Sequence, residues 1–136
     1  MSYAGDITPQ QAWDLLRDEP DAVLVDVRTE AEWKYVGVPE TSSIGRRTVF
    51  VEWVRYPDGA PNESFVDDLR AAGIGNGPVV FLCRSGQRSI GAATAATAAG
   101  LTPAYNILEG FEGALDGEGH RGTEGWRAAG LPWRQS

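Results

Sequence analysis

Residues 78–99 place a short apolar strand, a polar loop and an alanine-rich helix in direct succession, an order that favours an α/β fold. The strand pattern covers residues 78–82 and runs into Cys83, the one cysteine of the chain. The helix pattern covers residues 89–99, and its small side chains allow close packing on a sheet. A short, wholly apolar strand joined to a helix is typical of a parallel sheet. The segment therefore predicts that Cys83 lies at the carboxyl edge of such a sheet.

The rest of the chain repeats this alternation of helices and strands. Thr8 followed by Pro9 is a helix start, and Thr29 with Glu32 has the spacing of a capping box. The other predicted elements are strands at 22–27, 48–54 and 104–108, a helix from Asn62 or Ser64 to Gly73, a turn at 56–59, loops at 37–47 and 109–125, and a last helical turn at 126–129.

These patterns predict one α/β domain over residues 1–136, with a mostly parallel central sheet and helices on both of its faces.

Composition excludes several classes of function. A formal charge of -7 argues against broad nucleic-acid binding, since phosphate contacts need clustered cations. We find no apolar run of the length that spans a bilayer and no signal-peptide pattern at the N-terminus. One cysteine and one histidine are too few for a structural zinc site, so we expect no metal and no cofactor. A single thiol also indicates no oxidising compartment, and we expect a cytoplasmic protein without membrane or nucleic-acid partners.

The loop after Cys83 favours a reactive thiol. Backbone N–H groups at the start of the following helix, together with Arg84 and Arg88, would stabilise the thiolate, which is the reactive form. Gly86 permits a tight bend with positive φ, and Ser89 is a candidate cap of the helix. The alternative is that Cys83 is a small apolar core residue, which is common for a free cysteine.

The chain offers no obvious general base for Cys83. His120 is its one histidine, and its glycine-rich surroundings predict an exposed loop. Cys83 must then be activated by the loop itself, through amide donors, the helix terminus and arginine. Such a site suits an anionic sulfur or phosphorus substrate and does not suit peptide hydrolysis.

The spacing within the loop separates two known classes of protein. Cysteine-dependent phosphatases have five residues between Cys and Arg, whereas four separate Cys83 from Arg88 here. This spacing resembles that of the rhodanese family of sulfurtransferases. Residues 26–33 are similar to the first rhodanese signature, and residues 106–111 with 125–133 are similar to the second. Because the three motifs occur in the expected order, the chain is identified as a member of that family.

The resemblance implies a single rhodanese-like domain and a ping-pong transfer of sulfur. The Cys83 thiolate would take the outer sulfur of thiosulfate or a related anionic donor and release sulfite. A thiol, a protein or cyanide would then accept the sulfur from the Cys83 persulfide. Arg84 is the candidate for attracting the donor's sulfonate, and Arg88 matches the family's loop arginine, which would pair with a carboxylate. The candidate catalytic residue is Cys83, and the candidate substrate-binding residues are Arg84, Ser85, Gly86, Gln87, Arg88 and Ser89, whose backbone N–H groups would bind the terminal sulfur.

Two residues of the first signature are expected to support the site. Asp26 either bonds the active loop or caps the next turn, and Arg28 forms a salt bridge to a neighbouring loop; we favour a structural role for both. The Arg46-Arg47 pair is either solvated or steers an anionic donor.

The chain departs from the family pattern in three places, which leaves the acceptor open. Many family members have Gly-His-Ile where this chain has Gly37-Val38-Pro39, and stretches 46–65 and 116–123 are longer. The alternatives to a sulfurtransferase are a phosphatase or arsenate reductase of related fold, and a non-enzymatic persulfide carrier or interaction module.

Overall fold

A parallel sheet forms the centre of the protein. The computed structural model describes residues 3–54, 59–75 and 77–135, so the turn predicted at 56–59 falls outside it except for Gly59. The strands of the sheet are β1 (Gly5–Ile7), β2 (Val23–Asp26), β4 (Thr48–Phe50), β5 (Val79–Leu82) and β6 (Ala104–Ile107). They lie in the order β1-β6-β5-β2-β4, and every pair is parallel. Two further strands, β3 (Val38–Pro39) and β7 (Trp133–Arg134), form a separate antiparallel pair.

Helices cover the sheet on both faces. They are α1 (Pro9–Asp18), α2 (Glu30–Tyr35), α3 (Phe65–Ala71) and α4 (Arg88–Ala98), and a short 3-10 helix spans Ser42–Ile44. On one face, Leu16 of α1 and the indole of Trp126 pack with apolar residues of the sheet. On the other face, Leu69 of α3 and Ala92 of α4 do the same. The predicted fold class is confirmed.

Two helices begin where the capping signals predicted. The hydroxyl of Thr8 accepts from the backbone N–H of Gln11, whose side chain accepts from the N–H of Thr8 in return. Thr29 and Glu32 form the same reciprocal pair at the start of α2. Local hydrogen bonds of this kind can be inferred from sequence because both partners lie within one turn.

Other predicted boundaries were wrong. The sequence patterns missed β1, which is three residues long and therefore too short to show a period. The predicted loop 37–47 contains β3. This strand pairs with β7, which lies near the other end of the chain. Ser89 is not the cap of α4: the helix begins at Arg88, and its capping position, Gln87, makes no side-chain cap bond.

A buried ion pair joins three segments beside the sheet. Asp26 and Arg28 are fully buried, and Arg28 Nη2 lies 2.7 Å from Asp26 Oδ2. Arg28 Nη2 also donates to the carbonyl of Gly37 at 2.8 Å, and the guanidinium lies 4.2 Å from the ring centroid of Phe111. The pair thus connects the end of β2 to the start of β3 and to the segment after β6. The salt bridge of Arg28 is thus made to Asp26 and not to a neighbouring loop, which Arg28 reaches through the hydrogen bond to Gly37.

Replacing Asp26 by alanine should cost about 3–5 kcal/mol of unfolding free energy, because Arg28 would remain as a buried unpaired charge. Urea denaturation followed by tryptophan fluorescence measures the loss.

The matched control is Asp18→Ala, which breaks an exposed pair with Arg17 and should change stability little. Equal effects of the two substitutions would contradict the structural role of the buried pair.

Candidate active site

Cys83 lies at the carboxyl edge of the sheet, directly after β5 and between the ends of β6 and β2. The residue is 1% exposed. Its Sγ accepts a hydrogen bond from the backbone N–H of Gly86 at 3.1 Å and lies 3.2 Å from the hydroxyl of Ser89. The loop therefore folds back over the thiol and directs an amide donor at it.

The loop rests on the segment that follows β6. The carbonyl of Cys83 accepts from the N–H of Phe111 at 2.8 Å, and the carbonyl of Arg84 accepts from the N–H of Glu112 at 3.0 Å. Gly110 has φ +63°, and a Cβ there would lie 2.6 Å from the carbonyl carbon of Arg84. Since no side chain fits this gap, Gly110 is required for the two segments to come together.

Gly86 makes the bend that the sequence predicted. Its φ is +95°, and a Cβ on it would lie 3.1 Å from the backbone nitrogen of Glu109. The loop is thus held tightly between Cys83 and the end of β6, and its shape is set by backbone contacts.

Arg88 is paired with a carboxylate. Its two terminal nitrogens donate to Glu32 Oε1 and Oε2 at 2.9 and 3.0 Å, an arrangement that joins α4 to α2. Burial acts to raise the pKa of Glu32, but the hydrogen bonds and positive charge of Arg88 outweigh it and lower that pKa below its ordinary value. Burial acts to lower the pKa of Arg88, but the hydrogen bonds that Arg88 donates to Glu32 and the negative charge of Glu32 outweigh it and raise that pKa. Arg88 therefore anchors the loop while keeping its charge near Cys83.

Ser89, which the sequence suggested as a cap, has a different set of contacts. The residue is fully buried, and its hydroxyl donates to Oδ1 of Asn106 while lying beside Cys83 Sγ. Asn106 is buried in β6 and donates through Nδ2 to Asp6 Oδ1 at 3.0 Å and to the carbonyl of Gly86 at 3.3 Å. The sequence reasoning included Asn106 in a motif and assigned it no role. Its register opposite Asp6 arises only when β1 pairs with β6.

The remaining predicted residues lie on the rim or away from the site. Arg84 and Gln87 are exposed, and Ser85 is half-buried. Arg46 and Arg47 line a cavity of about 440 Å³ that also includes Val23, at the amino end of β2. That cavity lies at the opposite end of the sheet strands from Cys83, so this pair is badly placed to steer a donor.

His120 is exposed in the loop after β6, with Nδ1 4.0 Å from a carboxylate oxygen of Glu118. Across residues 3–54, 59–75 and 77–135, no group of three or more His, Cys, Asp or Glu side chains is placed to hold a metal ion. No helix in the described part of the chain is both long and apolar enough to cross a membrane.

The arrangement can stabilise negative charge on or next to sulfur. The N–H of Gly86 donates to Sγ, the first turn of α4 presents further N–H groups, and Arg88 is near. No side-chain base contacts the thiol among the described residues; the polar side chain beside it is the hydroxyl of Ser89. The arrangement is able to hold a nucleophilic sulfur through backbone donors.

Comparisons with known proteins give a consistent result. A family model described as a rhodanese-like domain matches residues 8–116. The crystal structure of Rv0390 from M. tuberculosis is 65% identical, with a TM-score of 0.93, and the match covers 99% of this chain and 100% of that one. An uncharacterized protein, RC0915, from Rickettsia conorii is 38% identical over 94% of this chain and 95% of its own length. A thiosulfate sulfurtransferase, GlpE, from Haemophilus influenzae is 28% identical over 83% of this chain and 89% of its own length.

The Glu32–Arg88 pair predicts a pH-dependent contribution to stability. Because the pKa of Glu32 in the folded state lies below its ordinary 4.5, ionised Glu32 stabilises the fold above that value. The contribution is lost as the pH falls through the folded-state pKa. We expect Glu32→Gln to be less stable than the wild type at neutral pH, with the difference shrinking below about pH 4.5. Urea denaturation at neutral and acidic pH measures the free energy of unfolding of the wild type and of Glu32→Gln.

Glu30→Gln is the matched control, since Glu30 is an exposed carboxylate in the first turn of the same helix. It should show a much weaker dependence on pH. A Glu32→Gln difference that stays constant down to acid pH would contradict the assigned pairing.

Proposed function

This chain belongs to the rhodanese-like domain family, and we propose that it is a sulfurtransferase that carries sulfane sulfur as a persulfide on Cys83. The observation that carries the proposal is the thiol at the carboxyl edge of the sheet, with the Gly86 N–H donating to its sulfur. The four-residue spacing from Cys83 to Arg88 supports sulfur over phosphorus chemistry. The relative named as a thiosulfate sulfurtransferase supports thiosulfate as the donor.

The first half-reaction forms one sulfur–sulfur bond and breaks another. The Cys83 thiolate attacks the outer sulfur of thiosulfate, and the bond from that sulfur to the sulfonate sulfur breaks. Sulfite leaves with the bonding electron pair, and Cys83 becomes a persulfide anion. The outer sulfur moves from sulfite to the Cys83 thiolate, one electron pair arriving with the thiolate and one leaving with sulfite, so the step needs no oxidant and no cofactor.

The second half-reaction passes the terminal sulfur to an acceptor. A thiolate of a small molecule or of a protein attacks that sulfur and becomes a persulfide, or cyanide attacks it and becomes thiocyanate. Cys83 leaves as the thiolate and is ready for another cycle. Because Cys83 is the one cysteine of this sequence, the accepting thiol is supplied by another molecule.

The residues around Cys83 divide between binding and positioning. The backbone donors of residues 84–89, which include the Gly86 N–H, would hold the anionic terminal sulfur in the role of an oxyanion hole. Arg88 is committed to Glu32 and positions the loop. Arg84 is exposed at the mouth of the loop and is the candidate for the sulfonate of the donor.

The cytoplasm is the proposed location, because a catalytic cysteine must be kept as a thiol between cycles. A reducing compartment does that and also supplies thiol acceptors.

The proposed activity is tested by intact mass spectrometry under non-reducing conditions after incubation with thiosulfate. The wild type should gain one sulfur atom, which cyanide or a reductant removes, and Cys83→Ser should gain none. The failure of thiosulfate, mercaptopyruvate and a small persulfide to load the wild type would sink the proposal. Hydrolysis of an aryl phosphate that depends on Cys83 would then favour the phosphatase, and loading without release to cyanide or small thiols would favour a carrier.

Arg84→Ala should weaken donor binding, because it removes the exposed guanidinium nearest in sequence to Cys83. We expect the KM for thiosulfate to rise roughly fivefold, a modest change because the contact is solvated, with kcat little altered. Steady-state thiocyanate formation measures both constants.

Arg47→Ala is the matched control, since it removes the same charge at the opposite end of the strands. An equal rise in KM for the two variants would assign the effect to overall charge and not to Arg84.

A further inference from the structure

A row of hydrogen bonds connects the Cys83 thiol to a carboxylate at the protein surface. Cys83 Sγ lies 3.2 Å from Ser89 Oγ, Ser89 donates to Asn106 Oδ1, and Asn106 Nδ2 lies 3.0 Å from Asp6 Oδ1. Tyr3 donates to the same carboxylate at 2.6 Å. Asp6 lies on β1, Asn106 on β6 and Ser89 on α4, while Cys83 directly follows β5. Ser89 and Asn106 are fully buried.

The direction of each hydrogen bond follows from which of the groups at the ends of the row can donate and which can only accept. The Asp6 carboxylate and the Gly86 carbonyl only accept, so the amide nitrogen of Asn106 faces them and its oxygen faces Ser89. That oxygen also only accepts, so the single hydroxyl proton of Ser89 points to Asn106. Ser89 then presents only a lone pair to Cys83.

Asp6 remains ionised under ordinary conditions, which keeps this direction in place. The hydrogen bond from Tyr3, and next that from Asn106, lower the pKa of Asp6 below its usual range. A turned amide would place Asn106 Oδ1 against two acceptors, the Asp6 carboxylate and the Gly86 carbonyl.

We propose that Asp6 and Asn106 are positioning residues that orient the Ser89 hydroxyl away from Cys83 and so favour the protonated thiol in the resting protein. In this arrangement the thiol S–H donates to Ser89 Oγ while Sγ accepts from the Gly86 N–H. The thiolate, and likewise the inner sulfur of a persulfide, has no proton to donate. Each is stabilised by Ser89 only when the hydroxyl turns from Asn106 to sulfur.

Turning the hydroxyl leaves Asn106 Oδ1 buried without its donor, which is costly. Ionisation of Cys83 is therefore coupled to a carboxylate on β1, at the other end of the row. The row conducts no proton, because the amide between Ser89 and Asp6 does not titrate in the ordinary range; it sets orientation only. The preference for the thiol stands on these contacts alone, while its meaning for sulfur transfer rests on the proposed function.

Other charges near Cys83 act on the same ionisation and are left in place by the test. Arg88 of α4 attracts the thiolate and is itself paired with Glu32 of α2. Asp26 of β2 lies near enough to affect Arg88 and is paired with Arg28. Arg84 is adjacent to Cys83 along the loop. None of these residues is changed in the variants below.

The test is a titration of the thiolate by its ultraviolet absorbance. From each variant the same variant carrying Cys83→Ser is subtracted, so that tyrosine ionisation cancels even where a change at Asp6 alters the pKa of Tyr3. Ser89→Ala removes the lone pair that accepts from the thiol, and we expect its titration to move to lower pH than that of the wild type. Asn106→Ala frees the Ser89 proton to bond the sulfur, so the titration should move further to low pH than in Ser89→Ala. We expect it to lie about one pH unit below that of the wild type, which corresponds to about tenfold more thiolate at a given pH. A shift of Ser89→Ala to higher pH, or no shift, would overturn the proposal, because Ser89 would then already donate to the thiolate or be uncoupled from it.

Two variants of exposed Asp6 keep the test decisive if the buried substitutions fail to fold. Asp6→Asn and Asp6→Ala remove the same charge, but the asparagine retains an oxygen that accepts from Asn106. If the Asn106 amide transmits the orientation, the Cys83 titration should shift further to low pH in Asp6→Ala than in Asp6→Asn. Equal shifts would assign the effect to charge alone and overturn the proposal. The titration needs no sulfur donor, so its outcome is independent of whether thiosulfate loads Cys83.

Discussion

The hydrogen bonds between the loop after β5 and the segment after β6 are the contacts on which the site depends. Because the two strands are parallel neighbours, both leave the sheet at the same edge and meet there. The carbonyls of Cys83 and Arg84 then accept from the N–H groups of Phe111 and Glu112, and Gly110 lets the backbones touch. A thiol loop shaped in this way keeps its amide donors in place before any substrate arrives, which is what electrostatic stabilisation of an anion requires.

Two arginine–carboxylate pairs stabilise the surroundings of the loop without occupying it. Arg28 with Asp26 is fully buried, and Arg88 with Glu32 is partly exposed. Arg28 is held by Asp26 at the end of β2, and Arg88 is held by Glu32 of α2. Neither guanidinium is therefore free to close over the sulfur. The Gly86 N–H and the Ser89 hydroxyl are therefore the groups within hydrogen-bond distance of Cys83 Sγ, and the charge of Arg88 acts on the sulfur from farther away.

Several patterns confined to neighbouring residues agree with the structure, whereas the sequence does not show the pairings between distant residues. The helix start at Thr8, the capping box at Thr29 and the strand–loop–helix around Cys83 are visible because their partners lie within a few residues. β1 was missed because three residues carry no period, and it becomes a strand only through pairing with β6. A hydroxyl near a helix start favours a cap, but the buried Ser89 hydroxyl donates to Asn106 instead.

The sequence by itself determined the α/β class, the place of Cys83 at a strand end and the short loop to Arg88, since apolar runs, helix caps and residue spacing are local. Only the tertiary structure decided which side chains meet the loop. Glu32 reaches Arg88 across 56 residues, and Asp6 reaches Asn106 across 100. The physical reason is that a parallel sheet brings strands together through crossover connections, and the order of those strands is set by packing of the whole chain.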